Sequence, residues 1–150
     1  MAAPDRSIRH PLVSLRWERN DRHTTITRLA LIGIPLTILL AVLGLPPIDI
    51  HGPLHYRGIM GPTCGLTRGV MWTVRGDLAR AWQFNPASLL VILTLIGMTI
   101  RAAFGRTTGR WLNLHVRWHP WLWLIPALLV TLLAVRQQNN IDLLLANPAG

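Results

Sequence analysis

Three runs without a charged residue, Leu29 to Leu45, Ala87 to Ile100 and Trp121 to Val135, interrupt a chain whose other segments are polar and basic. An α-helix rises about 1.5 Å per residue, so the 17 residues of the first run reach about 25 Å, close to the ~30 Å of a bilayer's hydrocarbon core. The second and third runs are shorter and gain length from Arg101 to Phe104 and from Trp118 to Pro120, side chains that sit well at a membrane interface. The pattern predicts spans over about 29–45, 86–104 and 119–135. Pro35 and Pro126 each fall inside a span, remove a backbone donor and predict kinks.

Between the first two spans the pattern changes twice. Pro46, Pro47, Gly52, Pro53, Gly58, Gly61 and Pro62 predict an irregular loop. From Cys64 onward, Leu66, Val70, Val74, Leu78 and Trp82 recur every four residues, and Arg68, Arg75 and Arg80 fall off that stripe. This is the signature of an amphipathic helix, with a break expected at Gly76. Asp77 is placed to cap its second piece, and Asn85-Pro86 is a start signal for the next span. Ahead of the first span, Leu12, Val13, Leu15 and Trp17 alternate with His10, Arg16 and Arg19. Two readings stay open there: a segment lying on an anionic inner leaflet, or a disordered arm.

The fold class expected is therefore an all-α membrane protein, with three transmembrane helices plus an amphipathic interfacial helix between the first and second. Residues 1–28 form a basic cytoplasmic arm, 29–135 one membrane domain with an outer loop and amphipathic helix over 46–85, and 136–150 an outer tail. Within that tail, Ile141 to Ala146 is apolar apart from Asp142. Gly33, Thr37 and Ala41 mark a small-residue stripe on the first span, and Ala127 and Thr131 a shorter one on the third. Such stripes serve intramolecular packing more often than an oligomer seam.

Charge sharpens this picture. Only 14% of residues are charged, too few for an ordinary soluble chain. The net charge is +9, and all 15 basic residues are arginine. They bracket the apolar runs instead of gathering in one polar domain, which speaks against nucleic-acid binding and for topology signals. Six precede Leu29, four lie in Pro46 to Pro86, four in Arg101 to Pro120 and one follows Val135. The positive-inside rule then places the N-terminus and second connection in the cytoplasm and the C-terminus outside. Trp111, Trp118, Trp121 and Trp123 would mark the inner interface, Trp72 and Trp82 the outer. The first run, long and without a small-x-small cleavage site, is expected to remain as a span.

Chemistry is concentrated in one segment. Cys64-Gly65-Leu66-Thr67-Arg68-Gly69, then Gly76-Asp77-Leu78-Ala79-Arg80-Ala81, then Asn85-Pro86 running into an apolar span, resembles the bacterial membrane family catalogued as domain of unknown function 2752. Its pattern reads Cys-Pro-x-Cys-Gly-x-Thr-Arg, Gly-Asp, Asn-Pro. The resemblance covers about Gly61 to Ile100 and implies a bacterial inner-membrane protein without implying an activity. Where the pattern begins with cysteine this chain has Gly61, so Cys64 is its only thiol and an intramolecular dithiol is ruled out.

The candidate residues are thus Cys64, Gly65, Thr67, Arg68, Gly76, Asp77, Asn85 and Pro86. Cys64 beside Arg68 could form a reactive thiolate, although a lone cysteine near an apolar face is more often a small buried hydrophobe. His51, His55 and Cys64 are weak metal candidates, because glycines and prolines between the histidines oppose a preformed pair. The amides of Gly65 to Thr67, the Thr67 hydroxyl and Arg68 could hold an anionic headgroup. A structural clamp between Arg68 and Asp77, or a helix cap, is preferred to that. No serine or cysteine has a histidine–acid set at recognisable spacing, and no cofactor is expected. The expected function is a non-enzymatic accessory or scaffolding subunit contacting another membrane protein, a second copy or lipid headgroups. A membrane thiol-redox or metal-assisted enzyme using Cys64 and Arg68, and headgroup binding by Thr67 and Arg68, are the alternatives.

Overall fold

The computed structural model describes residues 12–45, 57–117 and 119–146. Residues 46–56 of the expected irregular loop, with His51 and His55, lie outside the described residues, as do Trp118, the first eleven residues and 147–150.

The described chain is mostly helical. Helix α1 (Thr24–Leu43) is built from leucine, isoleucine and alanine and stops at Gly44, whose φ of 82° suits glycine and whose N–H reaches the Leu40 carbonyl at 3.0 Å. Two shorter helices follow, α2 (Leu66–Val74) and α3 (Leu78–Phe84), and then α4 (Ala87–Thr108), α5 (Leu124–Asn139) and α6 (Ile141–Ala146). α4 ends on Gly109 at φ 67°, the left-handed closure favoured by glycine. A 3-10 turn over Pro120–Trp123 leads into α5. Pro126 therefore sits in the first turn of α5, just after that turn, where a missing donor costs little, and not at mid-helix as the apolar run implied.

Three helical stretches, Thr24–Leu43, Ala87–Thr108 and Pro120–Asn139, are long and apolar enough to cross a membrane. They run past the uncharged stretches at one or both ends, because polar residues there continue the helix. α1 and α4 pack side by side and antiparallel, with Thr27, Ala30 and Thr37 of α1 buried. A Cβ on Gly33 would come within 2.9 Å of Leu95 Cδ2, so the glycine of the small-residue stripe is spent on this intramolecular contact. α5 makes no comparable contact with either helix, and Ala127 and Thr131 remain exposed.

The structure is not purely helical. β1 (Val13–Glu18) pairs antiparallel with β2 (Trp111–Val116), in register from Val13 opposite Val116 to Glu18 opposite Trp111. The alternation before the first span is a strand, and its pairing replaces the disordered arm. Its partner lies on the far side of α4 in sequence, so no local window could reveal the ladder.

The long helices thus share two ends. At one, the ribbon, the start of α1 and the close of α4 meet; at the other, α2, α3, α6 and the last turn of α5 gather around Phe84 and Leu144.

Candidate functional site

The Cys64 segment begins as a tight turn. The Cys64 N–H donates to the Gly61 carbonyl at 3.1 Å, and the Gly61 N–H donates to Cys64 Sγ at 3.2 Å. Gly65 follows at φ 71°, and a Cβ there would lie 2.8 Å from both the Phe84 carbonyl oxygen and Leu144. Position and conformation both demand glycine. Gly65→Ala is expected to cost about 1–3 kcal/mol from the left-handed conformation alone, before the backbone clash, and to lower the thermal midpoint of detergent-purified protein.

Asn85 ties this turn to α4. It is wholly buried, its Nδ2 donates to the Pro62 and Cys64 carbonyls at 2.9 Å each, and its Oδ1 accepts from the Ala87 N–H at 2.9 Å. Pro86 then opens the helix without a donor to satisfy. One helical turn into α2, Gly69 lets that helix approach α4 so closely that a Cβ would stand 2.8 Å from Ser88 Oγ.

Arg68 departs from expectation. On the four-residue stripe it faces away from the apolar side, yet in the structure it is 6% exposed, whereas Leu78 and Trp82, which close the stripe, are more than half exposed. Its Nη1 donates to the Leu144 carbonyl of α6 at 3.3 Å and its guanidinium lies 5.7 Å from the centre of the Phe84 ring. Burial pulls its pKa down from the ordinary arginine value. Among the described residues no carboxylate pairs with it. The Arg68–Asp77 clamp is therefore replaced by another arrangement. Asp77 caps α3 by accepting from the Arg80 N–H at 2.9 Å and pairs with Arg80 Nε at 3.2 Å, because the left-handed Gly76 (φ 84°) turns it towards α3.

Of the candidates, Cys64, Gly65, Arg68, Asn85 and Pro86 meet beside Phe84 and Leu144. Gly76 and Asp77 form a separate corner, and Thr67 is exposed while Arg68 points inward, so the two do not make a joint anion seat. Cys64 is half-buried against the Met60–Phe84–Leu144 cluster. Among the described residues, no group of three or more His, Cys, Asp or Glu could hold a metal.

Sequence reasoning overlooked Gln137, which is wholly buried and donates to the Phe84 carbonyl at 3.0 Å. Its neighbours act with it: Arg136 Nη2 donates to the Trp82 carbonyl at 2.7 Å, and Gln138 joins the Met60 N–H and Gly58 carbonyl at 2.9 Å each. Three consecutive polar residues at the end of an apolar run were the available signal. They fasten the last turn of α5 to α3 and to the stretch ahead of the Cys64 turn.

Residues 54–99 match the family described as Protein of unknown function (DUF2752). The match agrees with the motif resemblance and encloses the Cys64 turn, α2, α3 and the first half of α4. No curated protein and no solved structure matches the chain. In the DUF2752-matching segment, Cys64, Gly65, Arg68, Asp77 and Asn85 each have a packing or hydrogen-bonding task, and the segment acts as a joint between helices.

A second polar cluster lies at the opposite end. Arg101 of α4 donates through Nη2 to Asp21 Oδ1 at 2.8 Å and Asn113 Oδ1 at 2.6 Å, and through Nη1 to Thr27 Oγ1 at 3.1 Å, and it stacks over Trp111. Asn113, wholly buried, donates to Glu18 and to the Asn20 carbonyl. Burial raises the Asp21 pKa, but hydrogen bonds from Arg101, Thr27 and the His23 N–H outweigh it and leave the pKa lowered. Glu18 is also lowered, first by its hydrogen bond from Asn113. A carboxylate with a depressed folded pKa stabilises above its unfolded pKa and loses that contribution as pH falls through the folded value. Acidification below the ordinary carboxylate range should therefore loosen the ribbon, read as faster amide exchange in β1 and β2, while exchange in α4 stays slow.

Proposed function

We propose that this chain is a non-enzymatic accessory or scaffolding subunit of a bacterial inner membrane, with its ribbon end in the cytoplasm and its Cys64 end and C-terminus outside. The observation that carries this reading is the state of α5. Gln137, Arg136 and Gln138 fasten its last turn, and the apolar stretch Pro120–Asn139 to which it belongs is almost wholly unburied within the protein. Gly33 of α1 is engaged with α4, but Ala127 and Thr131 of α5 stand open. A helix with an open small-residue face suits close approach by a helix of another subunit or a second copy. The bilayer covers the remaining apolar flanks, and the arginine bias across the connections supports the orientation.

A photo-crosslinking residue at Ala127, in native membranes, should give a protein adduct of one discrete mass. The same residue at Ile34 serves as a comparison. Adducts to lipid alone at Ala127 would contradict the scaffolding role.

A further inference from the structure

The β-ribbon carries its polarity inside out. In the observed register Ser14 stands opposite His115, Arg16 opposite Asn113 and Glu18 opposite Trp111, so these six share one side. That side is held against the helices along β2, at Trp111 and Asn113, while Arg16 of β1 is exposed to water. Trp111 lies so closely on Gly105 that an added Cβ would clash with the indole. Asn113 is engaged by Arg101, and His115 Nε2 lies 2.8 Å from Glu18 Oε1.

The other side is apolar and faces away from the protein. Val13 is 54% exposed, Leu15 64%, Trp17 57% and Leu114 43%, with Leu112 and Val116 beside them. An antiparallel ribbon on a water-soluble protein buries its apolar side and wets its polar one. Here the polar side is tied down by charge-assisted hydrogen bonds and the apolar side is offered outward. It is also continuous with the flank of a candidate span: the Trp17 ring centre lies 5.3 Å from that of Phe104, and Phe104 and Ile100, one turn apart on α4, are themselves exposed. Exposed Arg16, Arg19, Arg110 and Arg117 flank the ribbon, whereas its one acid, Glu18, is engaged by Asn113 and His115.

We propose that the ribbon is a membrane-interface element whose Val13–Leu15–Trp17 and Leu112–Leu114–Val116 side is seated in the headgroup–acyl boundary of an anionic phospholipid bilayer. Continuity with α4 selects lipid as the occupant, since a surface joined edge to edge with a spanning flank enters the same medium. The arginines complement anionic headgroups, and tryptophan prefers this depth. Arg101 holds the polar side so that only the apolar side is free to enter. The inference rests on α4 crossing the bilayer and goes beyond the scaffolding reading, which depends on α5.

The test uses the full chain with Cys64→Ser, carrying Leu15→Cys or Leu114→Cys on different strands, labelled with a small fluorophore and reconstituted into vesicles of phosphatidylglycerol and phosphatidylethanolamine. Lipid bearing a shallow nitroxide should quench both labels, and aqueous iodide should lose its effect on them relative to a label at Arg16→Cys on the opposite side. Iodide quenching at Leu15 and Leu114 equal to that at Arg16 would overturn the proposal. Shielding from iodide without nitroxide quenching would also overturn it, because protein and not lipid would then cover the ribbon. Equal nitroxide quenching in purely zwitterionic vesicles would overturn the role given to anionic headgroups. None of these outcomes alters the crosslink expected at Ala127, so the two readings fail separately.

Discussion

Replacing Asn85 with alanine should cost about 2–4 kcal/mol, since a buried donor–acceptor network is broken and its partners are left without replacements. Asn85 is wholly buried and makes three hydrogen bonds, to the Pro62 and Cys64 carbonyls and from the Ala87 N–H. In water a freed carbonyl would be rehydrated. Here both carbonyls sit in the turn that packs under Phe84 and Leu144, so the loss falls on the joint itself. Asn85→Asp separates the contributions: the acceptor for Ala87 survives and both donors are lost, so it should recover only part of the difference. The readout is the thermal midpoint in mild detergent, together with the alkylation rate of Cys64. That rate should rise in Asn85→Ala as the turn around the thiol opens.

The second large effect is expected at Arg101. Its side chain is 12% exposed and that of Asp21 is 9% exposed, and the pair is joined at 2.8 Å. Removing one member of such a pair typically costs about 3–5 kcal/mol, because the other is left buried and uncompensated. Arg101→Met should therefore destabilise strongly and release the ribbon first, seen as proteolysis near Arg19 and loss of amide protection across β1 and β2. Arg101→Lys keeps a charge but not the fork that serves Asp21, Asn113 and Thr27 together, so it should fall between wild type and Arg101→Met. The double change Arg101→Met with Asp21→Asn should regain part of the loss, because the stranded carboxylate is then gone.

Local signals were legible in the sequence wherever a short stretch decided its own conformation. Absence of charge marked the three long apolar helices. Gly76 broke the helix between α2 and α3 because it adopts φ 84°, and Asp77 capped the next helix because its carboxylate lies within reach of an N–H three residues on. Asn85-Pro86 opened α4 for a comparable reason. What stayed hidden depended on distant partners. Val13, Leu15 and Trp17 alternate like a strand, but a strand needs a ladder partner, and that partner begins at Trp111. Arg68 fell off the apolar stripe of its helix and suggested a clamp to nearby Asp77; the Leu144 carbonyl that receives it belongs to α6. Gln137 was hidden likewise, since its acceptor is the Phe84 carbonyl at the end of α3.

The account turns on two ends held on opposite sides of a bilayer, and cysteine accessibility tests it most directly. In a Cys64→Ser background, Thr67→Cys and Arg110→Cys place one exposed thiol at each end. An impermeant maleimide added to intact cells with a permeabilised outer membrane should label Thr67→Cys and leave Arg110→Cys unmodified until the inner membrane is opened. Labelling of both positions from the same side would contradict it.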